Sequence, residues 1–441
     1  MTPKLLLTRQ PQLTCLLVAM TIACACAQSS AEPKIPNIPK YNTKYYVLYT
    51  DLDKDMAREA VVRITAMAHE YYTRTRSFAG RISTRFPLYL YKDSASYRQH
   101  PGVIPGSAGI YNGRTLVATA PRSGRSWRVV QHEGFHQFAH KMIEGRLPVW
   151  LNEGLAEYFG NGLWTGDSMT VGLISPSDLA RVKAMIKNNS LMSLDKMLAM
   201  SHQTWNSGLS SRNYLQAWSM VHFLVHGDNG KYQKALSGYI RDLSKSRSVS
   251  QAFRNRFGGN TKAFQASYVR WWNSLDDDPT AGLYQRAQVL TLTSYLARAH
   301  YAGKKFATMQ EFVTASGDGT FTKIMALIAR RKPTIWLPDS LLARAIPGAS
   351  ELSAWTILAD DRRAARLQFT CSDGTRLIGS FTTGSKLTVK VTAVKKAEKP
   401  AEPAVSGSIS NIQQGMSNFQ VTATSTTSRL RRDQADSGVR R

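Results

Sequence analysis

The chain has 441 residues, 43% of them hydrophobic and 20% charged, which is long and apolar enough for two or three domains with a large core and excludes a disordered chain. Lys and Arg outnumber Asp and Glu by 57 to 30, giving a net charge of +27. The basic residues are dispersed and no RNA- or DNA-binding motif accompanies them, so the charge does not by itself point to a nucleic-acid partner.

The first 27 residues have the pattern of a signal peptide. Lys4 and Arg9 form a basic start, Leu13 to Ile22 an apolar run too short to stay in a membrane, and Ala25-Cys26-Ala27 a small-residue cleavage site. The alternative, lipid attachment at Cys24 or Cys26, lacks the usual small apolar box before the cysteine. Removal of the leader leaves Cys371 alone, so no intramolecular disulfide is expected. No later apolar run is long enough for a transmembrane helix. The mature chain is therefore expected to be exported, to the periplasm, the cell surface or the outside. There its basic surface suits an anionic cell-envelope polymer or an acidic substrate, or is simply solvated.

Residues 28–42 are rich in Pro and Ser and read as a linker. An α/β pattern follows. Tyr45 to Thr50 is a strand, and Asp51 to Thr73 an amphipathic helix with Ala57, Val61, Ile64 and Tyr71 on one side. Pro87 to Tyr91 is a second strand. Asn112-Gly113 marks a hairpin between Ala108–Tyr111 and Thr115–Ala118.

The densest chemistry lies between Arg128 and Phe159. His132-Glu133-Gly134-Phe135-His136 is an H-E-x-x-H. Four residues apart on a helix, the two imidazoles share a face and can grip one metal ion, with Glu133 beside the open coordination position. Val130, Phe135, Phe138 and Met142 recur at helical spacing, and Gly145 with Pro148 ends the run. A second helix, Trp150 to Phe159, offers Glu153 and Glu157. His140 competes as a third ligand, but at 1.5 Å rise per residue it sits about 12 Å along the axis from His132. The metzincin spacing fails at Ala139 and Met142. Two imidazoles and the carboxylate of Glu153, with a fourth position free, suit a catalytic Zn²⁺.

The H-E-x-x-H followed by Asn152-Glu153-Gly154-Leu155-Ala156 resembles the gluzincin (peptidase MA-like) zinc metallopeptidases, nearest to secreted bacterial members of that clan, over roughly Tyr45 to Leu275. The resemblance implies Glu153 as third zinc ligand, Glu157 as the carboxylate that orients a ligating His, and a sheet edge over the zinc helix that takes substrate as an added strand. The aminopeptidase branch carries an acid on that edge for the substrate's free amine. Here Gly109 to Gly113 has none, which favours an endopeptidase. That branch also has a Tyr oxyanion donor at about the distance of Tyr214 from Glu153. His222 is the competitor, by analogy with thermolysin's His donor.

Beyond the metal-binding pattern the chain turns helical: Asp178–Lys187, Leu194–Met200, Asn213–Val225, Lys231–Ser244 and Thr261–Leu275. Asp276-Asp277-Asp278-Pro279 closes a domain read at 43–278. A helical extension (279–346) follows, including Leu290–Ala299 and Ile324–Arg331. Next comes a small β module (347–394) with strands at Leu367–Cys371, Leu377–Phe381 and Leu387–Thr392. The tail (395–441) is basic and Ser/Thr-rich, with at most one strand near Phe419–Thr424.

The expected class is α+β: an N-terminal mixed sheet with the H-E-x-x-H helix, a mainly helical subdomain and a C-terminal β module. The expected function is zinc-dependent hydrolysis of peptide bonds with Glu133 as general base. The rival is a non-catalytic cell-surface binding or assembly protein using the fold as a scaffold. An intact Glu133 argues against that rival, because a scaffold has no need of a base.

Overall fold

A computed structural model describes residues 38–120, 124–207, 211–245, 248–359, 364–383, 386–395 and 423–424. The leader read at 1–27, and all of the tail past 395 except 423–424, lie outside them.

The first layer is a sheet built by strand alternation. Its elements are β1 (Lys40–Asn42), β2 (Tyr46–Thr50), α1 (Lys54–Thr75), β3 (Phe86–Tyr91), α2 (Ser94–Arg98), β4 (Gly109–Tyr111) and β5 (Leu116–Thr119). The strand order is β1-β2-β3-β5-β4. β2, β3 and β5 run parallel, and β1 and β4 are antiparallel edges, so the sheet is mixed as expected. Tyr46, Leu48, Leu88, Leu90, Leu116 and Ala118 point into one core with α1. Two boundaries move from their sequence positions. The Asp53 carboxylate accepts from the Asp55 and Met56 N–H groups, so α1 begins after that cap and not at Asp51. Lys40–Asn42, assigned to the linker by composition, pairs with β2, because strand pairing is a tertiary choice that local composition does not encode.

The helical layer follows as α3 (Gly124–Met142), α4 (Val149–Gly160), the hairpin β6 (Leu163–Trp164) and β7 (Met169–Thr170), α5 (Pro176–Lys187), α6 (Leu194–Ala199), α7 (His202–Ser207), α8 (Ser211–Gly230), α9 (Gln233–Ser244), α10 (Val249–Phe257) and α11 (Thr261–Ser274). Gly227 departs from helical geometry, and Asp228 and Asn229 take positive φ, which breaks α8 near its end. Val130, Phe135, Phe138, Trp150, Leu155, Trp218, Phe223 and Trp272 join α3, α4, α8 and α11 to the sheet in one core.

The remaining elements are α12 (Ala281–Tyr301), α13 (Met309–Gly317), α14 (Thr320–Arg331), α15 (Asp339–Ala345), β8 (Trp355–Leu358), β9 (Arg366–Thr370), β10 (Arg376–Thr382), β11 (Thr388–Val394) and β12 (Ala423–Thr424), and a second core joins α12 through β11. The sheet is antiparallel in the order β8-β9-β10-β11-β12. Leu292, Leu296 and Tyr295 of α12 share this core with Leu377, Phe381, Val389 and Val391, so the helical extension and the β module are packed as one body. Arg298, 1% exposed, forms a two-pronged ion pair with Asp167 (2.7 and 2.8 Å), tying α12 to the β6–β7 turn. Among the described residues no helix is long and apolar enough to cross a membrane.

Candidate metal centre

Two helices face each other to make the site. α3 carries His132 and His136 one turn apart, and α4 carries Glu153 and Glu157 one turn apart. Gln131, next to His132 and 4% exposed, donates to the carbonyl oxygens of Gly160 (2.9 Å) and Gly162 (3.0 Å), which clamps the end of α4 onto α3. Gln137 fixes α3 to β3 through the Pro87 carbonyl (2.8 Å). Gly154, beside Glu153, is required by the crossing of α4 and α8. A Cβ there would lie 2.5 Å from the Ala217 carbonyl oxygen, so any side chain would drive the helices apart.

The result is one convergent donor set. His132 Nε2 and His136 Nε2 lie 3.1 Å apart, and Glu153 Oε2 lies 3.3 and 3.4 Å from them. Donors at zinc-ligand distances on a tetrahedron stand about 3.3 Å apart, so the three atoms already match three corners. Glu153 Oε2 is buried and has no hydrogen-bond donor in the protein, as expected of an oxygen reserved for a cation. His132, His136 and Glu153 form the group of His, Cys, Asp and Glu side chains among the described residues that could hold a metal.

The electrostatics agree. Burial opposes charge on His132, yet the carboxylates of Glu153 and Glu157 outweigh it and push its pKa up to about 10. His136 is likewise raised, its burial overcome chiefly by Glu153. Burial would lift Glu153, but His136 and His132 hold it well below the usual carboxylate range. The two carboxylates thus favour positive charge on the imidazoles, the sign that a cation would bring to the same place.

Glu133, 4% exposed, points between this triad and the sheet. Its Oε2 accepts the Tyr111 N–H of the edge strand β4 at 2.9 Å. Burial raises its pKa, against the pull of His136 and His132. β4 comes this close because residue 109 is glycine: a Cβ there would meet Val129 Cγ1 of α3 at 2.6 Å. Thr119 N–H to Ala108 O and Asn112 N–H to Thr115 O fix the alternation of the hairpin. Residues 108, 110 and 112 therefore pair with β5, while Gly109 and Tyr111 turn their backbone groups to the open edge.

The remaining site candidates separate. Tyr214 on α8 is half-buried, and its hydroxyl is buried without a hydrogen-bond partner in the protein. Burial raises its pKa, and the charges of Glu153, Glu157 and Glu133 add to the rise, so the phenol lies within electrostatic reach of the centre. The Trp205 ring packs edge-on against it at 5.2 Å. His222, two turns on, is fully buried among Trp218, Tyr158 and His226, and its pKa is lowered by burial and by His226, with no contribution from the metal-site carboxylates. His140 bonds Tyr111 Oη (2.7 Å) and is not in the donor set. Glu157 lies with Oε1 3.2 Å from His132 Nδ1. Sequence reasoning missed Gln131 and Arg128. The signal for Arg128 was its place one turn before His132; Gln131 had none, because its role depends on where α4 ends.

Residues 127–250, from α3 to the start of α10, match a family of proteins of unknown function, DUF1570. The match spans every candidate site residue but names no activity. The chain shows no significant similarity to any curated protein.

Proposed function

We propose that the chain is an exported, zinc-dependent metallopeptidase of the gluzincin kind, acting as an endopeptidase. The observation that carries this reading is the position of Glu133, held by Tyr111 N–H between the His132–His136–Glu153 triad and an open sheet edge. Imidazole and carboxylate donors accept several divalent metals; two His and one Glu at tetrahedral separations with a fourth position open favour zinc in its catalytic role. Zinc held there would supply Lewis acidity, polarising a carbonyl and lowering the pKa of a water from 15.7 toward about 7.

The residues supply the rest. A peptide laid along β4 as an added strand would meet the outward backbone groups of Gly109 and the Tyr111 carbonyl, which recognise main chain and not side chain, while the Tyr111 N–H stays with Glu133. Glu133 would take the proton of the attacking water and return it to the leaving amine. Tyr214 would donate its hydroxyl to the carbonyl oxygen as negative charge builds there. Glu157 would keep His132 in the tautomer that leaves Nε2 free for the metal.

The test is a peptide-library digest by zinc-loaded wild type and Glu133→Gln side by side. Internal cleavage by wild type, lost on chelation, restored by zinc and absent from the variant, supports the reading. Zinc-loaded wild type that cuts no unfolded protein or peptide supports the scaffold alternative instead.

A further inference from the structure

The two helices of the centre carry a longer ladder than the three ligands. On α3, Arg128, His132 and His136 follow at intervals of one turn; on α4, Glu153 and Glu157 do the same. Interleaved, they alternate across the interface. Glu153 sits between His136 and His132, and Glu157 between His132 and Arg128. Glu157 divides its two oxygens: Oε1 faces His132 Nδ1 at 3.2 Å, and Oε2 accepts a hydrogen bond from Arg128 Nη2. The Glu157 side chain is 5% exposed and that of Arg128 40% exposed, so the guanidinium closes the ladder where it reaches solvent.

We infer that Arg128 is a positioning residue for the metal centre, acting through Glu157 to hold His132 in its ligating orientation. A buried carboxylate with one oxygen unpaired is costly and free to turn about its terminal bond. Arg128 removes both problems. It compensates the charge and fixes Oε2, which leaves Oε1 a single direction, toward Nδ1. Oε1 lies 3.2 Å from Nδ1, outside hydrogen-bond geometry, so the carboxylate acts on the ring through its charge and favours the setting with Nε2 toward His136 and Glu153. A guanidinium suits this task because it is always charged and its donors have fixed directions. The plainer role for the same pair is an ion pair that only fastens α3 to α4. The two roles differ in what they do to the metal.

The inference rests on the metal-centre reading, and the experiment separates their failures. Zinc dissociation constants are measured by competition with a fluorescent chelator for the wild type, Arg128→Met, Arg128→Gln, Arg128→Lys and Glu157→Gln, together with the melting temperature of each metal-free protein. Positioning predicts zinc affinity weakened about 10- to 100-fold in Arg128→Met and Arg128→Gln, the usual cost of removing a partner outside the ligand set. Arg128→Lys should recover part of that loss. Adding Arg128→Met to Glu157→Gln should weaken zinc little further, because the route to His132 is already cut. Overturning results are wild-type zinc affinity in both neutral Arg128 variants with only the melting temperature lowered, or an Arg128→Met effect that persists in full in the Glu157→Gln background. Wild type that takes up no zinc at all overturns the metal-centre reading itself.

Discussion

The Tyr111 backbone N–H donates to Glu133 Oε2 at 2.9 Å, so the edge strand of the sheet touches the residue proposed as the base. The contact depends on Gly109, where a Cβ would fall 2.6 Å from Val129 Cγ1. Gly109→Val should push β4 off α3 and take Tyr111 N–H away from Glu133. Since misplacing a reacting group by about 1 Å can cost 10²-fold, we expect a loss of that order in kcat/KM with zinc content unchanged. Full activity in the variant would separate the strand from the chemistry.

The same edge bears on where substrates are cut. Gly109 to Gly113 contains no acid to neutralise a substrate amine. Acetylating the N-terminus of a cleaved peptide should leave its rate within a few fold. Strong inhibition by the acetyl group would assign the chain to the aminopeptidase branch.

Tyr214→Phe keeps the ring packed against Trp205 and removes only the hydroxyl. A donor to the developing oxyanion acts on the transition state more than on the ground state, so kcat should fall about 10²- to 10³-fold with zinc affinity and KM little changed. An unaltered kcat would end the assignment. His222, enclosed by the Trp218 and Tyr158 rings, is not expected to replace it.

Zinc uptake should release protons. In the metal-free chain His132 is raised from 6.5 to about 10 and so is protonated at neutral pH, and His136 is also raised. Zinc needs their Nε2 lone pairs, so affinity should weaken about tenfold per pH unit for each proton displaced as the pH falls. Calorimetry in buffers of different ionisation heat counts those protons; a count of zero contradicts the electrostatics. The same shifts set the stability of the metal-free chain. The His132 contribution is present below 6.5 and lost as pH rises through about 10. That of Glu157, lowered from 4.5 to about 2, is present above 4.5 and lost as pH falls toward about 2.

Much of this arrangement was legible in the sequence because it depends on local spacing. His132, His136, Glu153 and Glu157 are paired at one helical turn on two helices, and the Asn112-Gly113 turn announces β4 and β5. What was not legible depends on tertiary contact. Only part of α12, Leu290–Ala299, was visible, since it is buried nearly all round and Thr291, Thr293, Ser294 and Arg298 interrupt any apolar stripe. β6 and β7 are two residues each, too short to carry a period. The sequence reading marked no strand at β8 (Trp355–Leu358), which pairs only with the later β9. Tyr214, preferred from the sequence, and its competitor His222 lie on one helix; the neighbours that α4, α7 and α11 bring to them could not be read from the sequence.

The most direct test of the central claim is the metal content of purified protein after zinc loading and removal of excess, measured for wild type and for His132→Ala, His136→Ala and Glu153→Ala. The account predicts one zinc per chain in wild type, with the bound metal lost or sharply weakened in each variant. A wild type that resists zinc loading, or a triad variant that keeps one zinc at wild-type affinity, would contradict it.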